Sequence, residues 1–134
     1  METEIKIRGY HTDLYQHVNN ARYLEFLEEA RWQLLENHMD LESFMKKGFL
    51  FFVVNINISY KSQARVNDLI RIRSGMANIG NKSAVVRQQV LNLTTGLVSV
   101  DADIIFVLSD SKGKALKLEG EVLETLNRIP VFEE

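Results

Sequence analysis

The sequence contains no cysteine. A disulfide framework, a thiolate metal site and a cysteine nucleophile are thereby excluded, and the chain fits a reducing compartment. An excess of charge of one sign is also missing. Sixteen basic residues face 18 acidic ones, for a net charge of −2, so the footprint of a nucleic-acid binder is not there. Long apolar runs are lacking too. The longest, FLFFVV at residues 49–54, falls far short of the roughly 20 residues that a membrane-spanning helix needs. The N-terminal METEIKIRGY has neither the basic stretch nor the apolar core of a signal peptide. These absences predict a soluble, cytoplasmic protein.

What is present describes one folded domain over residues 1–134. Hydrophobic residues make up 46% of the chain, and this length buries roughly two thirds of the unfolded surface, enough for a single core. EIKIRG (4–9) alternates and predicts a first strand. A polar loop at 10–19 leads into a helix capped by Asn19 or Asn20 and running to about Glu36. Arg22, Glu25, Glu29, Gln33 and Glu36 form its polar stripe, and Tyr23, Leu27, Ala30 and Leu34, widened by Leu24 and Leu35, its apolar one. MDLESFMKKG (39–48) predicts a short second helical turn ended by Gly48.

From there the period becomes two. Val54, Ile56, Ile58 and Tyr60 alternate with Asn55, Asn57, Ser59 and Lys61, and further strands follow over 69–77, 83–93 and 98–108. Turns are expected at 78–82, 94–96 and 110–114. Residues 119–129 predict a terminal helix stopped by Pro130, the single proline. The order is a strand, a long helix and four strands in an antiparallel meander, with the helix on one face of the sheet. That is an α+β layer arrangement. One long helix laid across a curved antiparallel sheet of about five strands is the shape called a hotdog fold.

Several motifs carry no chemistry on inspection. Gly75 and Gly80, followed by Lys82-Ser83, imitate a phosphate-binding loop. Asn81 breaks the spacing, however, and a phosphate loop leads into a helix, not a second strand. His11, His17 and His38 lack metal-ligand spacing. Asp101 and Asp103 alternate with apolar residues on the last long strand, as a solvated or interface face does.

Asp13 differs from these. It lies just ahead of a helix whose first amides have no intrahelical partners. Those amides and the positive end of the dipole can polarise a carbonyl, and a carboxylate in reach can attack that carbonyl or activate water. Asn19 and Asn20 can cap the helix while His17 orients the carboxylate or holds the loop. The residues alone support this and a plain capping loop equally.

The run Asp13-x-x-x-His17-Val18-Asn19-Asn20-x-x-Tyr23 resembles the signature of the 4-hydroxybenzoyl-CoA thioesterase-like branch of the hotdog superfamily. RGYHTDLYQHVNNARYLEFLEEARW, VVNINISYKSQARVNDLI, DADIIFVLSD and LEGEVLETL are similar to the bacterial long-chain acyl-CoA thioesterase subgroup, so the likeness covers nearly the whole chain. It implies hydrolysis of medium- to long-chain fatty acyl-CoA to free acid and coenzyme A, with no metal or redox cofactor. Asp13 would be the nucleophile or general base, and the backbone N–H near Asn20 the oxyanion donor. His17, Asn19 and Tyr23 would support the site.

In that family two subunits pair through the strand after the helix, here residues 53–61. The acyl pocket lies between them, and many members form homotetramers. Lys61, Arg65, Lys82 and Ser83 are expected to meet coenzyme A, or to be ordinary surface charge. The Phe49–Phe52 run, with Leu24 and Leu27, could line an acyl channel, though core or dimer interface is the favoured reading. Gln16 departs from many relatives in the wider family, in which glycine precedes the histidine and permits positive φ at no steric cost; the long-chain subgroup resembles this sequence there. Competing readings are an acyl-carrier-protein thioesterase, a non-catalytic acyl-CoA-binding protein and a hotdog hydratase.

Overall fold

A computed structural model describes residues 1–134. Strand β1 (Glu2–Lys6) and a single 3-10 turn (Gly9–His11) precede helix α1 (Asn20–His38) and the short helix α2 (Leu41–Lys46). Strands β2 (Leu50–Tyr60), β3 (Leu69–Ile79), β4 (Ser83–Asn92) and β5 (Val98–Ser109) follow, and helix α3 (Gly120–Leu126) comes last. The first strand thus starts and ends earlier than its alternation predicts, while α1 runs two residues beyond Glu36.

The five strands form one antiparallel sheet in the order β1-β3-β4-β5-β2. Here the expected four-strand meander is corrected. Only β3, β4 and β5 are consecutive neighbours; β2 pairs with β5 and occupies the far edge. The connection at 61–68 therefore crosses from one side of the sheet to the other and is not a hairpin. Alternation reports which face a residue takes but not which strand lies beside it, so the crossover has no signature in the period.

Helix α1 lays Tyr23, Phe26, Leu27, Ala30 and Leu34 on the sheet, where they share one buried core with Ile70, Ile72, Val86, Val90, Val100, Ile104 and Leu108. Each fully buried Leu of this stripe contributes about 1.5–3 kcal/mol. This is the expected hotdog arrangement of a long helix against a five-stranded antiparallel sheet. Phe26 is an addition to the predicted stripe, and Leu24 stays exposed.

A bulge adjusts β2. Val53 pairs with Phe106 and Asn55 with Ile105, leaving Val54 as an extra residue. Val53, not Val54, therefore shares the helix-facing side with Ile56, Ile58 and Tyr60. The outer edge of β2 has no strand beside it, and Phe52, Val53 and Val54 are exposed there.

Candidate active site

The polar loop folds back on itself before it enters α1. Thr12 and Val18 form an antiparallel bridge, the Asp13 N–H donates to the His17 carbonyl at 2.9 Å, and the Gln16 N–H donates to the Asp13 carbonyl at 3.0 Å. The resulting four-residue turn places Gln16 at φ 62, in the left-handed region. The conformation that glycine favours is thus adopted here by glutamine.

The Asp13 side chain closes an Asx turn. Its Oδ1 accepts the Tyr15 N–H at 2.9 Å and the His17 N–H at 3.4 Å. Its Oδ2 makes no hydrogen bond within the chain, and the residue is exposed. One carboxylate oxygen is tied down and the other is free of hydrogen bonds within the chain.

The crossover at 61–68 holds this loop in place. Val18 N–H donates to the Ala64 carbonyl at 2.9 Å, and His17 bridges Arg65. From the helix side, the buried Tyr23 hydroxyl accepts the Ala64 N–H at 3.2 Å. Burial pushes the Tyr23 phenol above its ordinary value, although the Ala64 bond opposes that shift, so the group stays neutral and available. The topology that defeats the meander is what brings residue 64 under the helix mouth.

His11 packs beneath the loop, edge-on to Phe26 at 5.1 Å between ring centres. Its Nδ1 accepts the Arg8 N–H at 2.9 Å, and its carbonyl accepts the Asn19 N–H at 3.2 Å. Burial, followed by the nearby Arg22 and Arg8 charges, lowers its pKa below the ordinary 6.5, so His11 is a neutral acceptor at pH 7. Sequence reasoning weighed it only as a metal ligand. Its supporting role depends on a contact with Phe26 that no spacing announces.

At the helix mouth, the Asn19 side chain caps by accepting the Ala21 N–H at 2.8 Å, and its carbonyl accepts the Arg22 N–H at 2.9 Å. The Asn19 and Val18 amides are taken by His11 and Ala64. The Asn20 N–H has no acceptor among these cap and loop hydrogen bonds, so it is the open donor of the group. The Tyr60 hydroxyl donates to the Asn20 carbonyl at a long 3.4 Å. This places the end of β2 at the site, which the sequence reading did not anticipate.

Of the cationic residues expected near substrate, Arg65 lies closest to this loop. With Tyr15, Gln16, His17 and Val66 it lines a cleft of about 250 Å³, and its guanidinium forms no ion pair within the chain. Lys61 reaches the outer sheet face and pairs with Asp101 at 2.8 Å. Arg87 pairs there with Asp101 at 2.9 Å and with Asp103 at 3.4 Å, so both aspartates belong to an ion-pair network. Lys82 and Ser83 sit at the β3–β4 turn, at the opposite end of the 11-residue β3 from the Asp13 loop, roughly 30 Å away at ~3.3 Å per residue. Phe49 and Phe51 pack on the core, while Phe52 is half-exposed on the sheet edge.

Residues 7–126 match the profile of the thioesterase-like superfamily. The long-chain acyl-CoA thioesterase FadM of Escherichia coli (strain K12) is 49% identical over 130 residues, covering 96% of this chain and 98% of that protein. The crystal structure of YbaW, a probable thioesterase from Escherichia coli, superposes with a TM-score of 0.90 at 48% identity, covering 96% of this chain and 98% of that one. A more distant relative is the acyl-CoA thioester hydrolase YbgC of Shigella flexneri, 27% identical over 78% of this chain and 79% of that protein.

Proposed function

The chain belongs to the thioesterase-like superfamily, and from that premise we propose that it hydrolyses medium- to long-chain fatty acyl-CoA to free fatty acid and coenzyme A, with Asp13 as its catalytic carboxylate. The observation that carries this reading is the pairing at the mouth of α1. There an open Asn20 N–H adjoins a loop that ties one Asp13 oxygen and leaves the other free. The 49% identity to FadM supports the long-chain preference.

In this mechanism the thioester carbonyl oxygen accepts the Asn20 N–H, where the helix dipole stabilises negative charge developing on it. Two routes follow. Asp13 Oδ2 adds to the carbonyl carbon, the C–S bond breaks to release coenzyme A thiolate, and water then cleaves the mixed anhydride. Alternatively, Asp13 takes a proton from water, whose oxygen adds to the carbonyl carbon before the thiolate leaves. No metal or redox group enters either route. His17, Asn19 and Tyr23 hold the loop and the helix start.

Self-association completes the proposal. An unpaired, exposed edge strand invites pairing, and a second copy joining antiparallel through residues 53–61 would run in the reverse direction. Its β3–β4 turn would then lie at this chain's Asp13 end, so that Lys82 and Ser83 of one subunit and Arg65 of the other could flank the phosphates of one coenzyme A. Two such dimers would make the tetramer that the resemblance implies. No helix is long and apolar enough to cross a membrane, and a cysteine-free chain suits work in the cytoplasm.

The test is thiol release from acyl-CoA esters of increasing chain length. Rates that rise with chain length support the proposal. A folded protein that releases no thiol from any of them overturns it in favour of a carrier-protein substrate or a binding role.

A further inference from the structure

A second cavity, of about 260 Å³, opens between α1 and the β2 edge, away from the Asp13 loop. Nine of its 11 lining residues are apolar, among them Trp32, Leu35, Phe51 and Phe106; the exceptions are Glu28 and Arg31. Arg31 is unusual for such a wall. It is partly buried, forms no ion pair within the chain, and donates to Gln88 Oε1 at 3.0 Å. Burial pulls the guanidinium below its ordinary basicity, with the Glu28 charge as the opposing influence.

Gln88 explains how Arg31 is held. It is fully buried in the sheet, and its Nε2 donates to the Leu27 carbonyl and to Ser74 Oγ, both at 2.9 Å. With both amide partners fixed, the only orientation left turns Oε1 toward Arg31. A pocket for plain hydrocarbon would need neither a buried amide nor a desolvated cation, since each costs free energy that an apolar side chain does not. A guanidinium has five N–H donors, and one of them is engaged by Gln88.

The pocket also lies at a telling distance. Arg31 is 11 residues along α1 from Asn20, about 16 Å at ~1.5 Å rise per residue. That is close to the length of one lipid acyl chain, half of a ~30 Å bilayer core.

Resting on the acyl-CoA reading above, we propose that this pocket receives the distal end of the substrate's acyl chain, and that Arg31 makes it selective for chains bearing an oxygen there, as a hydroxyl, oxo or carboxyl group. An oxygenated end accepts the spare N–H donors, whereas a methyl end strips water from them without replacement. Arg31 is on this account a specificity-determining residue, positioned by Gln88.

The test separates binding from turnover. S-tetradecyl-CoA and its ω-hydroxy counterpart are thioethers that cannot be hydrolysed, and Trp32, the only tryptophan, reports on the pocket it lines. Wild type should bind the ω-hydroxy thioether at least about tenfold more tightly, the lower range for a hydrogen bond to a charged group. Arg31→Met should bring that ratio to one, and Arg31→Lys should keep part of it. A wild-type ratio of one or below overturns the inference whether or not the variants fold, as does an undiminished ratio in folded Arg31→Met. If the protein still hydrolyses acyl-CoA in either case, only this inference falls. If neither thioether binds, the acyl-CoA reading falls as well.

Discussion

Tyr23 and Ala64 stand 41 positions apart, yet the Tyr23 hydroxyl accepts the Ala64 N–H at 3.2 Å in the protein interior. That bond ties the first turn of α1 to the crossover that also holds Val18 and His17. Removing the hydroxyl in Tyr23→Phe leaves a buried amide without a partner. The expected cost is about 1–3 kcal/mol, a fall in Tm of about 3 °C or more in a domain of this size. A thermal scan of wild type and variant measures it; an unchanged Tm would mean that Ala64 finds another acceptor and that the clamp is dispensable.

Gln16 holds φ at 62 with a side chain that resists it. Gln16→Gly relieves that strain and loosens the unfolded chain, two effects of similar size and opposite sign. The variant should match wild-type stability within about 1 kcal/mol and keep its activity. Gln16→Val, β-branched in a left-handed position, should lose more than about 1 kcal/mol and slow thiol release along with it. Urea unfolding of the pair distinguishes a turn that needs positive φ from one that tolerates any residue.

Acid should weaken the fold through His11. Its folded pKa is depressed by burial and by Arg22 and Arg8, so in acid the unfolded chain binds the proton more readily than the folded one. Stability therefore rises with pH across the interval between the depressed value and 6.5. In the other direction, loss begins near pH 6.5 and grows as the solution is acidified. Protonating Nδ1 would also break the bond from the Arg8 N–H. Urea midpoints measured from pH 7.5 downward should fall, and His11→Gln should flatten the fall. Parallel curves for the two proteins would place the acid-sensitive group elsewhere.

What the sequence displays, and what it hides, divides along physical lines. The Asn19 cap and the long amphipathic helix are legible because capping chemistry and the 3.6-residue period act locally. Asp13 stands out as a carboxylate well ahead of the cap, but the residues alone leave a catalytic site and a plain capping loop equally open. The position of β2 beside β5 is hidden, because a period of two is identical for either neighbour. The extra residue at Val54 is hidden because alternation continues across it with the faces exchanged. Tyr60 and Ala64 join the site through that non-local topology, and His11 through its packing on Phe26. Arg31 reads as one more cation on a charged helix until Gln88 is seen beneath it.

The central claim is that Asp13 performs the chemistry. Asp13→Asn keeps a side-chain oxygen to accept the Tyr15 N–H and removes the charge, so the loop should survive while the reaction does not. The direct measurement is thiol release from palmitoyl-CoA by wild type and Asp13→Asn, with circular dichroism confirming equal folding. Because the chain has no cysteine, it contributes no background to a thiol reagent. A loss of at least about a hundredfold in the variant is predicted, the lower end of general-base contributions. Near-normal release by a folded Asp13→Asn protein would contradict the assignment and move the catalytic carboxylate elsewhere.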